Sequence, residues 1–127
     1  MTVVLAIYIP TYKRPKSTHN LLLSLSRLGY LDSPHVNVHV SDNCSISNAN
    51  SIVGSLSPLF PTVTFSSNSQ NFGYIYNFLK CFRLPLAEYC WVLGSDDVPL
   101  VDAEALLALI QQSDFVTQYD IAFNRRQ

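Results

Sequence analysis

Residues 89–97 read Tyr-Cys-Trp-Val-Leu-Gly-Ser-Asp-Asp, an apolar run that ends directly in glycine, serine and two adjacent carboxylates. The five apolar or aromatic residues 89–93 predict a strand that is covered on both faces, as strands of parallel sheets are. The neighbouring carboxylates Asp96 and Asp97 repel each other, so the pair is costly unless water or a cation separates the charges. The stretch therefore predicts a buried strand followed either by a ligand-binding loop or by a solvated loop that leads into a helix.

The rest of the chain alternates strand patterns with helical ones. Strand patterns occupy residues 3–9, 36–41, 62–66 and 89–93, and residues 115–123 fit a fifth strand. Helical patterns occupy residues 17–28, 48–56, 72–82 and 102–110. This alternation is typical of βαβ units. It predicts an α/β fold with a mostly parallel, Rossmann-like sheet flanked by helices. Ser17 or Thr18 is the expected cap of the first helix, and Gly29 its expected stop.

Composition excludes several classes of protein. The chain has 127 residues, enough for one small domain with an apolar core. Its net charge is -1 and its basic residues are scattered, whereas a nucleic-acid partner requires a basic face. The one local cluster, Lys13, Arg14 and Lys16, fits either a solvated loop or a phosphate contact. We therefore expect no nucleic-acid partner.

The start of the sequence predicts no membrane segment, and the cysteines do not form a metal-binding or disulfide framework. The apolar run at residues 3–9 is too short to span a bilayer and is followed by Pro10, so no membrane span is expected. The run lacks a basic n-region and a small-residue cleavage site, so no signal peptide is expected either. Cys44, Cys81 and Cys90 lack metal-site spacing and are odd in number. We interpret them as small buried hydrophobic residues in a reducing compartment, which favours a cytoplasmic location.

Polar side chains follow three of the predicted strands at the point where each strand ends. Residues 10–15 follow the first strand, Asp42 the second, and Asp96 with Asp97 the fourth. Ligands of open α/β sheets bind at this edge, and right-handed crossovers would place the first strand beside the second and fourth. The three loops are thus the expected walls of one site. Taken alone, Asp42 fits either a hydrogen bond to a nucleobase or an Asx turn.

A further candidate lies at the start of the third predicted helix. Gly73 would let the backbone approach a ligand, and the helix N-terminus would offer free N–H groups to an anion. The alternative is ordinary helix initiation with Asn71 as the cap. The aromatic stripe formed by Tyr74, Phe78 and Phe82 is interpreted as core rather than as a stacking platform.

The order of four motifs resembles the nucleotide-binding half of family-2 glycosyltransferases. These are Ile-Pro-Thr-Tyr-Lys-Arg-Pro at 9–15, Val-Ser-Asp-Asn-Cys-Ser at 40–45, Asn-Phe-Gly at 71–73 with Asn77, and Trp-Val-Leu-Gly-Ser-Asp-Asp at 91–97. The likeness covers nearly the whole chain up to about Asp102. It implies that residues 1–127 form the nucleotide-sugar-binding part of a GT-A domain, incomplete on the C-terminal side because the acceptor-binding half is absent.

The resemblance assigns eight residues to the nucleotide-sugar, usually a UDP-sugar in this family: Pro10, Thr11, Tyr12, Asp42, Asn71, Gly73, Asn77 and Asp96. Within that set Tyr12 would lie against the base, Asp42 would hydrogen-bond it, and Asp96 would face the ribose or the sugar. Asp97 would bind the divalent metal, Mg²⁺ or Mn²⁺, that bridges the diphosphate. The first acidic position of the family's carboxylate motif is occupied by Ser95, a variant compatible with metal binding because the final aspartate is kept.

The resemblance also implies a chain that is catalytically incomplete. Inverting transfer needs a general base that deprotonates the acceptor hydroxyl, and in the family that base lies in the acceptor-binding half. Besides Asp102, which is expected to open a helix, the acids that follow Asp97 are Glu104, Asp114 and Asp120, and none of these three is expected to be the base. Assignment as a hexosyltransferase with a saccharide or lipid-linked acceptor therefore follows from resemblance alone.

The alternative is a non-catalytic nucleotide-binding or structural α/β module that works only with a partner chain or as a homodimer. Other related sheets fit less well. A nucleotidyltransferase or a Rossmann dehydrogenase would need a glycine-rich loop after the first strand, and a response regulator would need acids there. Residues 10–12 supply neither.

Overall fold

The computed structural model describes residues 3–43, 52–80 and 87–111, and it has a four-stranded parallel sheet within them. The strands are β1 (Leu5–Thr11), β2 (Val36–Asp42), β3 (Thr64–Ser67) and β4 (Tyr89–Val92). The helices are α1 (Pro15–Arg27), α2 (Ile52–Leu56), α3 (Tyr74–Lys80) and α4 (Ala103–Ile110), and a 3₁₀ turn (Ser57–Leu59) follows α2. The order β3-β2-β1-β4 confirms the predicted parallel α/β sheet, with β1 between β2 and β4.

Strand β1 runs two residues beyond its predicted end. Pro10 and Thr11 were expected in a loop, but they pair with the last two residues of β2. The Asn43 amide then donates to the Thr11 carbonyl at 2.8 Å, which extends the ladder past the strand itself. The prediction ended the strand at Ile9 because Pro10 was expected to close it, yet pairing to β2 keeps the backbone extended for two more residues.

The two faces of the sheet differ in chemistry. Side chains alternate between the faces of a strand, and in β2 the valines alternate with Asn37, His39 and Ser41. The apolar face packs against α1, α2 and α4. The buried residues of that core include Ile7, Ile9, Leu22, Leu25, Val38, Val40, Ile52, Trp91 and Leu106.

Helix α3 covers the polar side of β2 and contributes no described residue to the apolar core. The predicted core stripe is therefore wrong in part: Tyr74 is 63% exposed and Phe78 is half-buried, while Phe82 lies outside the described residues. The residue of α3 that is buried is Asn77, at 3% exposure. Helical spacing alone could not show this, because it does not reveal that the sheet face beneath α3 is polar.

Helix α1 begins earlier than predicted. Pro15 occupies its first turn, where a missing N–H costs nothing, and Arg14 is the N-cap without a side-chain capping bond. The expected cap Thr18 instead donates from Oγ1 to the Arg14 carbonyl at 2.7 Å. The predicted stop is confirmed: the helix ends before Gly29, which has φ 88° in the left-handed region that favours glycine.

The C-terminal end of α1 is joined to α4 through Tyr30. Its hydroxyl donates to the Val101 carbonyl at 2.6 Å, and its ring meets Trp91 edge-on at 5.9 Å between centroids. Burial, with the Asp102 carboxylate nearby, raises the pKa of Tyr30, so the hydroxyl stays a neutral donor. Asp102 opens α4 as predicted and accepts a hydrogen bond from the Ala105 amide at 2.8 Å.

One prediction about the cysteines is wrong. Cys90 is exposed on β4, the edge strand of the described sheet, rather than buried. Cys44, Cys81 and the predicted fifth strand lie outside the described residues. Across the described ranges, every helix is too short or too polar to cross a bilayer.

Candidate functional site

A cleft of about 340 Å³ opens at the C-terminal edge of the sheet, between the loops that follow β1 and β4 and the start of α3. Seven of the eight residues expected to contact a nucleotide-sugar line it: Pro10, Thr11, Tyr12, Asn71, Gly73, Asn77 and Asp96. The wall also contains residues without a predicted role: Arg14, Asn43, Tyr74, Gly94 and Ser95. Its size is within the usual range of small-ligand pockets.

Asn43 organises the far wall of the cleft. Its Nδ2 donates to Asn71 Oδ1 at 2.7 Å and to the Gly73 carbonyl at 3.2 Å. Its Oδ1 accepts from the Phe72 amide at 3.1 Å and from Asn68 Nδ2 at 2.9 Å. One side chain at the end of β2 thus holds the loop before α3 in place. Sequence reasoning missed this role, because an asparagine after a strand is also an ordinary turn residue.

Asn71 shapes its own loop rather than capping α3. Its Oδ1 accepts from the Gly73 amide two residues ahead at 2.9 Å, an Asx-type turn. Gly73 has φ 91°, and a Cβ built on it would meet nothing within 4 Å. Glycine is therefore favoured here by the backbone conformation, and not because a side chain would clash with neighbouring atoms. The open space beside it belongs to the cleft.

Asn77 anchors α3 to β2. The Ser41 hydroxyl donates to Asn77 Oδ1 at 2.8 Å, and Asn77 Nδ2 donates to the Ser41 carbonyl at 3.0 Å. Asn68 Nδ2 also donates to Asn77 Oδ1, at 3.2 Å. These bonds satisfy a buried amide that would otherwise be expensive. Asn77 borders the cleft, and these hydrogen bonds direct its side-chain amide toward Ser41 and Asn68.

A histidine and a lysine share the polar space beneath α3. The two ring nitrogens of His39 lie 2.6 Å from Thr64 Oγ1 and 2.9 Å from Ser66 Oγ. Lys80 Nζ donates to Asn68 Oδ1 at 2.9 Å and more weakly to Ser66 Oγ at 3.4 Å. Burial, followed by repulsion from Lys80, lowers the pKa of His39 to about 4. The imidazole is therefore neutral near pH 7.

The two predicted carboxylates Asp42 and Asp97 lie behind the cleft wall rather than on it. Asp42 is 1% exposed at the end of β2, in register with Thr11. Asp97 is 3% exposed, and its Oδ2 accepts from the Gly94 amide at 2.7 Å. The Asp97 amide donates back to the Gly94 carbonyl at 3.0 Å, which closes a turn. The ligand roles of both carboxylates stay predictions.

The turn at residues 94–97 brings two carboxylates toward one point. A Cβ built on Gly94 would lie 3.1 Å from Asp96 Oδ1 and 3.3 Å from Asp97 Oδ2. Within the described ranges no three histidine, cysteine, aspartate or glutamate side chains form a metal cluster. Mg²⁺ is often held by one or two carboxylates together with substrate phosphates. The pair therefore fits a cation completed by a diphosphate and water, and it does not fit a closed all-protein site.

The loop after β1 forms the near wall. Thr11 Oγ1 lies 3.0 Å from Thr18 Oγ1, a buried contact between the strand end and α1. Tyr12 is partly exposed, and Lys13 Nζ lies 5.2 Å from the centroid of its ring. Lys13 has φ 51°, and this left-handed residue reverses the chain into α1. The reversal leaves Tyr12 and Arg14 on the cleft wall.

A larger hollow of about 490 Å³ lies between the end of α1 and the start of α4. It is lined by residues such as Arg27, Asp32 and Glu104 and by none of the strand-end motifs. Asp102, which also lines it, is already used as the α4 cap. We therefore place the functional site at the strand ends.

Comparison with known proteins identifies the family of the chain. The family model described as "Glycosyl transferase family 2" matches residues 6–125. A curated relative, abequosyltransferase RfbV of Salmonella typhimurium strain LT2, is 30% identical over 107 residues, which are 83% of this chain and 32% of RfbV. The chain thus spans about a third of the length of that relative.

Crystal structures of S. aureus TarS share the fold. One is 23% identical with a TM-score of 0.66, and the match covers 85% of this chain and 19% of TarS. TarS 1-349 in complex with UDP-GlcNAc is 21% identical with a TM-score of 0.61, covering 93% of this chain and 32% of that one. The parallel sheet with flanking helices is the predicted GT-A arrangement. Because the family model covers nearly all of the sequence, the chain belongs to glycosyl transferase family 2.

Proposed function

We propose that the chain binds the nucleoside and diphosphate of a UDP-sugar, as the donor-binding part of an inverting glycosyltransferase. The observation that carries the proposal is the cleft at the strand ends, which Tyr12, Asn71 and Asp96 line together although they lie far apart in the sequence. Structures of the related fold in TarS complexes with UDP-GlcNAc and with UDP support this choice of ligand. The name of RfbV supports transfer of a sugar.

The base would lie against the exposed part of the Tyr12 ring, since an aromatic face stacks on a planar base. Asp42, which pairs with Thr11 at the end of β2 and lies behind the cleft wall, would accept a hydrogen bond from the base. Asn43 and Asn71 hold the opposite wall rigid through their mutual bond. The nucleoside would therefore enter between a loop fixed to α1 and a loop fixed to β2.

Asp97, together with Asp96, would hold Mg²⁺ or Mn²⁺ through carboxylate oxygens above Gly94. Such a cation supplies stabilisation of negative charge on the departing diphosphate. Asp96, on the wall, would face the ribose or the sugar. The Asp97 bond to the Gly94 amide holds the Asp97 carboxylate at this turn. We assign no general base: Glu104 lines the hollow beside α4 and not the cleft.

Calorimetric titration with UDP tests the proposal. The protein is titrated in Mn²⁺ and again in EDTA, with ADP as the control nucleotide. We expect UDP to bind, more tightly with Mn²⁺, and ADP to bind more weakly because Asp42 is placed to select the base. Absence of UDP binding in both conditions would contradict the proposed function.

A second candidate function is that of a non-catalytic α/β module that works as a homodimer. The exposed surface of α3 is the observation that favours it. Five apolar side chains on and just before α3 are exposed: Phe72, Tyr74, Ile75, Tyr76 and Leu79. A contiguous exposed apolar surface often marks an interface. Sedimentation of the wild type and of Ile75→Lys tests this candidate. A wild-type dimer that the substitution dissociates would support a homodimer, and monomers in both proteins would contradict it.

The cytoplasmic location also remains a proposal, and it rests on cysteine chemistry. Cys90 is an exposed free thiol, which persists more readily in a reducing compartment. Fractionation of the native protein would test it.

A further inference from the structure

The backbone of Arg14 is fixed by the fold, while its side chain is exposed on the cleft wall. Its carbonyl accepts from the Thr18 amide at 3.0 Å and from Thr18 Oγ1 at 2.7 Å. Thr18 Oγ1 in turn lies 3.0 Å from Thr11 Oγ1 in β1, and both hydroxyls are buried. A pair of buried threonines therefore fixes the backbone from which the Arg14 side chain extends at the cleft wall.

The cleft wall has few charged side chains, and Arg14 is one of them. Among the described residues that line it, Arg14 and Asp96 are the charged ones. The ammonium of Lys13 lies over the Tyr12 ring. Within residues 3–43, 52–80 and 87–111 the Arg14 guanidinium has no ion-pair or hydrogen-bond partner. The wall thus presents one guanidinium that is not neutralised by a described carboxylate.

A diphosphate brings at least two negative charges into a cleft that already contains the Asp96 carboxylate. Repulsion between these groups must be offset by a cation. A guanidinium offers several N–H donors in a planar fork, which matches two phosphate oxygens at once and keeps its charge at every physiological pH. Arg14 has the required chemistry, and it lies on the same wall as the nucleoside-binding residues Pro10, Thr11 and Tyr12.

We propose that Arg14 is a diphosphate-binding residue of the donor cleft, acting independently of any metal at Asp96 and Asp97. The inference rests on the proposed function and adds a second cation to it. The sequence of the basic cluster at residues 13–16 fits either a solvated loop or a phosphate contact. The proposal assigns a phosphate contact to Arg14 alone. Lys16, two residues further along α1, is exposed and does not line the cleft.

The test compares Arg14→Gln, Arg14→Lys and the matched control Lys16→Gln by calorimetry in EDTA, so that no metal contributes. The ligands are UDP, uridine and inorganic pyrophosphate. We expect Arg14→Gln to weaken UDP and pyrophosphate by about tenfold and uridine hardly at all. Arg14→Lys should recover part of the loss, because it restores the charge but not the fork. Lys16→Gln should bind all three as the wild type does.

The outcomes separate this inference from the proposed function. Equal UDP and pyrophosphate affinity in wild type and Arg14→Gln would overturn the role of Arg14 alone. A loss that is the same for uridine as for UDP would overturn it too, since it would reflect a disturbed loop. Pyrophosphate binding that depends on Arg14 without any UDP binding would keep the anion site and overturn the proposed function. Thermal unfolding at the wild-type temperature would show that the exposed substitution leaves the fold intact.

Discussion

Asn77 and Ser41 are joined by two reciprocal hydrogen bonds, one between their side chains and one from the Asn77 amide to the Ser41 carbonyl. Both residues are buried, so removal of the amide leaves polar groups of β2 without these partners. We expect Asn77→Ala to lower the free energy of unfolding by about 1–3 kcal/mol. Urea denaturation measures the change.

Asn20 supplies the control for that substitution. It is exposed on α1, and Asn20→Ala should change the stability by less than about 0.5 kcal/mol. Equal stability of the two variants would mean that the bonds between α3 and β2 do not stabilise the fold.

The metal role of Asp97 predicts a loss of charge-dependent binding without a loss of fold. Asp97→Asn keeps an oxygen that can accept from the Gly94 amide but removes the negative charge. We expect the Mn²⁺-dependent gain in UDP affinity to disappear, while binding in EDTA is retained. Glu104→Gln, an exposed carboxylate away from the cleft, is the control. A full Mn²⁺ response in Asp97→Asn would remove Asp97 from the metal site.

Gly94 and Gly73 predict two different consequences of the same substitution. In Gly94→Ala the new methyl would crowd Asp96 Oδ1 at 3.1 Å and Asp97 Oδ2 at 3.3 Å, so the carboxylates must move and Mn²⁺-dependent binding should fall. In Gly73→Ala the methyl has space but φ is 91°, so stability should fall by about 1–2 kcal/mol. Paired UDP titration and thermal unfolding distinguish the two. Identical behaviour of the variants would contradict the assignment.

The base role of Asp42 predicts a change in selectivity. Asp42→Ala should weaken UDP more than ADP, because the lost acceptor is specific to the N–H pattern of the base. Competition between the two nucleotides gives the ratio of the UDP and ADP affinities in the variant and in the wild type. An unchanged ratio would remove Asp42 from base recognition and leave it as a buried structural residue.

Acid should destabilise the protein through His39. Burial and Lys80 lower the pKa of the folded imidazole to about 4, whereas an unfolded histidine titrates near its ordinary value of 6.5. Between these values the unfolded chain binds a proton that the folded chain does not, so stability falls as the pH drops from about 6.5 to 4. A stability that rises as the pH drops would require the pKa of His39 to be higher in the folded than in the unfolded protein.

Urea denaturation of His39→Gln across the same pH range is the measurement. The variant should lose less stability than the wild type between pH 6.5 and 4. Lys80→Gln removes the repulsion that faces His39, so its pH dependence should fall between the two. A wild-type slope in His39→Gln would show that other groups cause the acid sensitivity.

The strands and their order could be predicted from the sequence, because the alternating pattern at residues 36–40 and the apolar run at residues 89–93 are local signals, and the handedness of the crossovers then gives the strand order. The roles of two polar side chains were missed because their hydrogen-bond partners could not be identified from the sequence. Thr18 looked like a cap, but Thr11 and the Arg14 carbonyl use its hydroxyl. Asn43 looked like a turn residue, yet its partners lie 25 to 30 positions away.

The burial of site residues could not be predicted either. The positions of Asp42 and Asp97 after strands were predicted, but only the structure shows that both carboxylates lie behind the cleft wall. A pattern of residue types gives position along a strand, whereas burial depends on which loop folds over it.

The way α3 is attached has a consequence for the motions of the protein. Its bonds to the sheet come from Asn77 and Lys80, while apolar residues such as Ile75 and Leu79 face outward. Opening of α3 therefore exposes little additional apolar surface and does not require the core around Ile7 and Ile9 to unfold. The amides of α3 should exchange with deuterium by local opening, well before those of β1. Nucleotide in the cleft would slow that exchange, so the protection of α3 reports occupancy of the site without any label on the ligand.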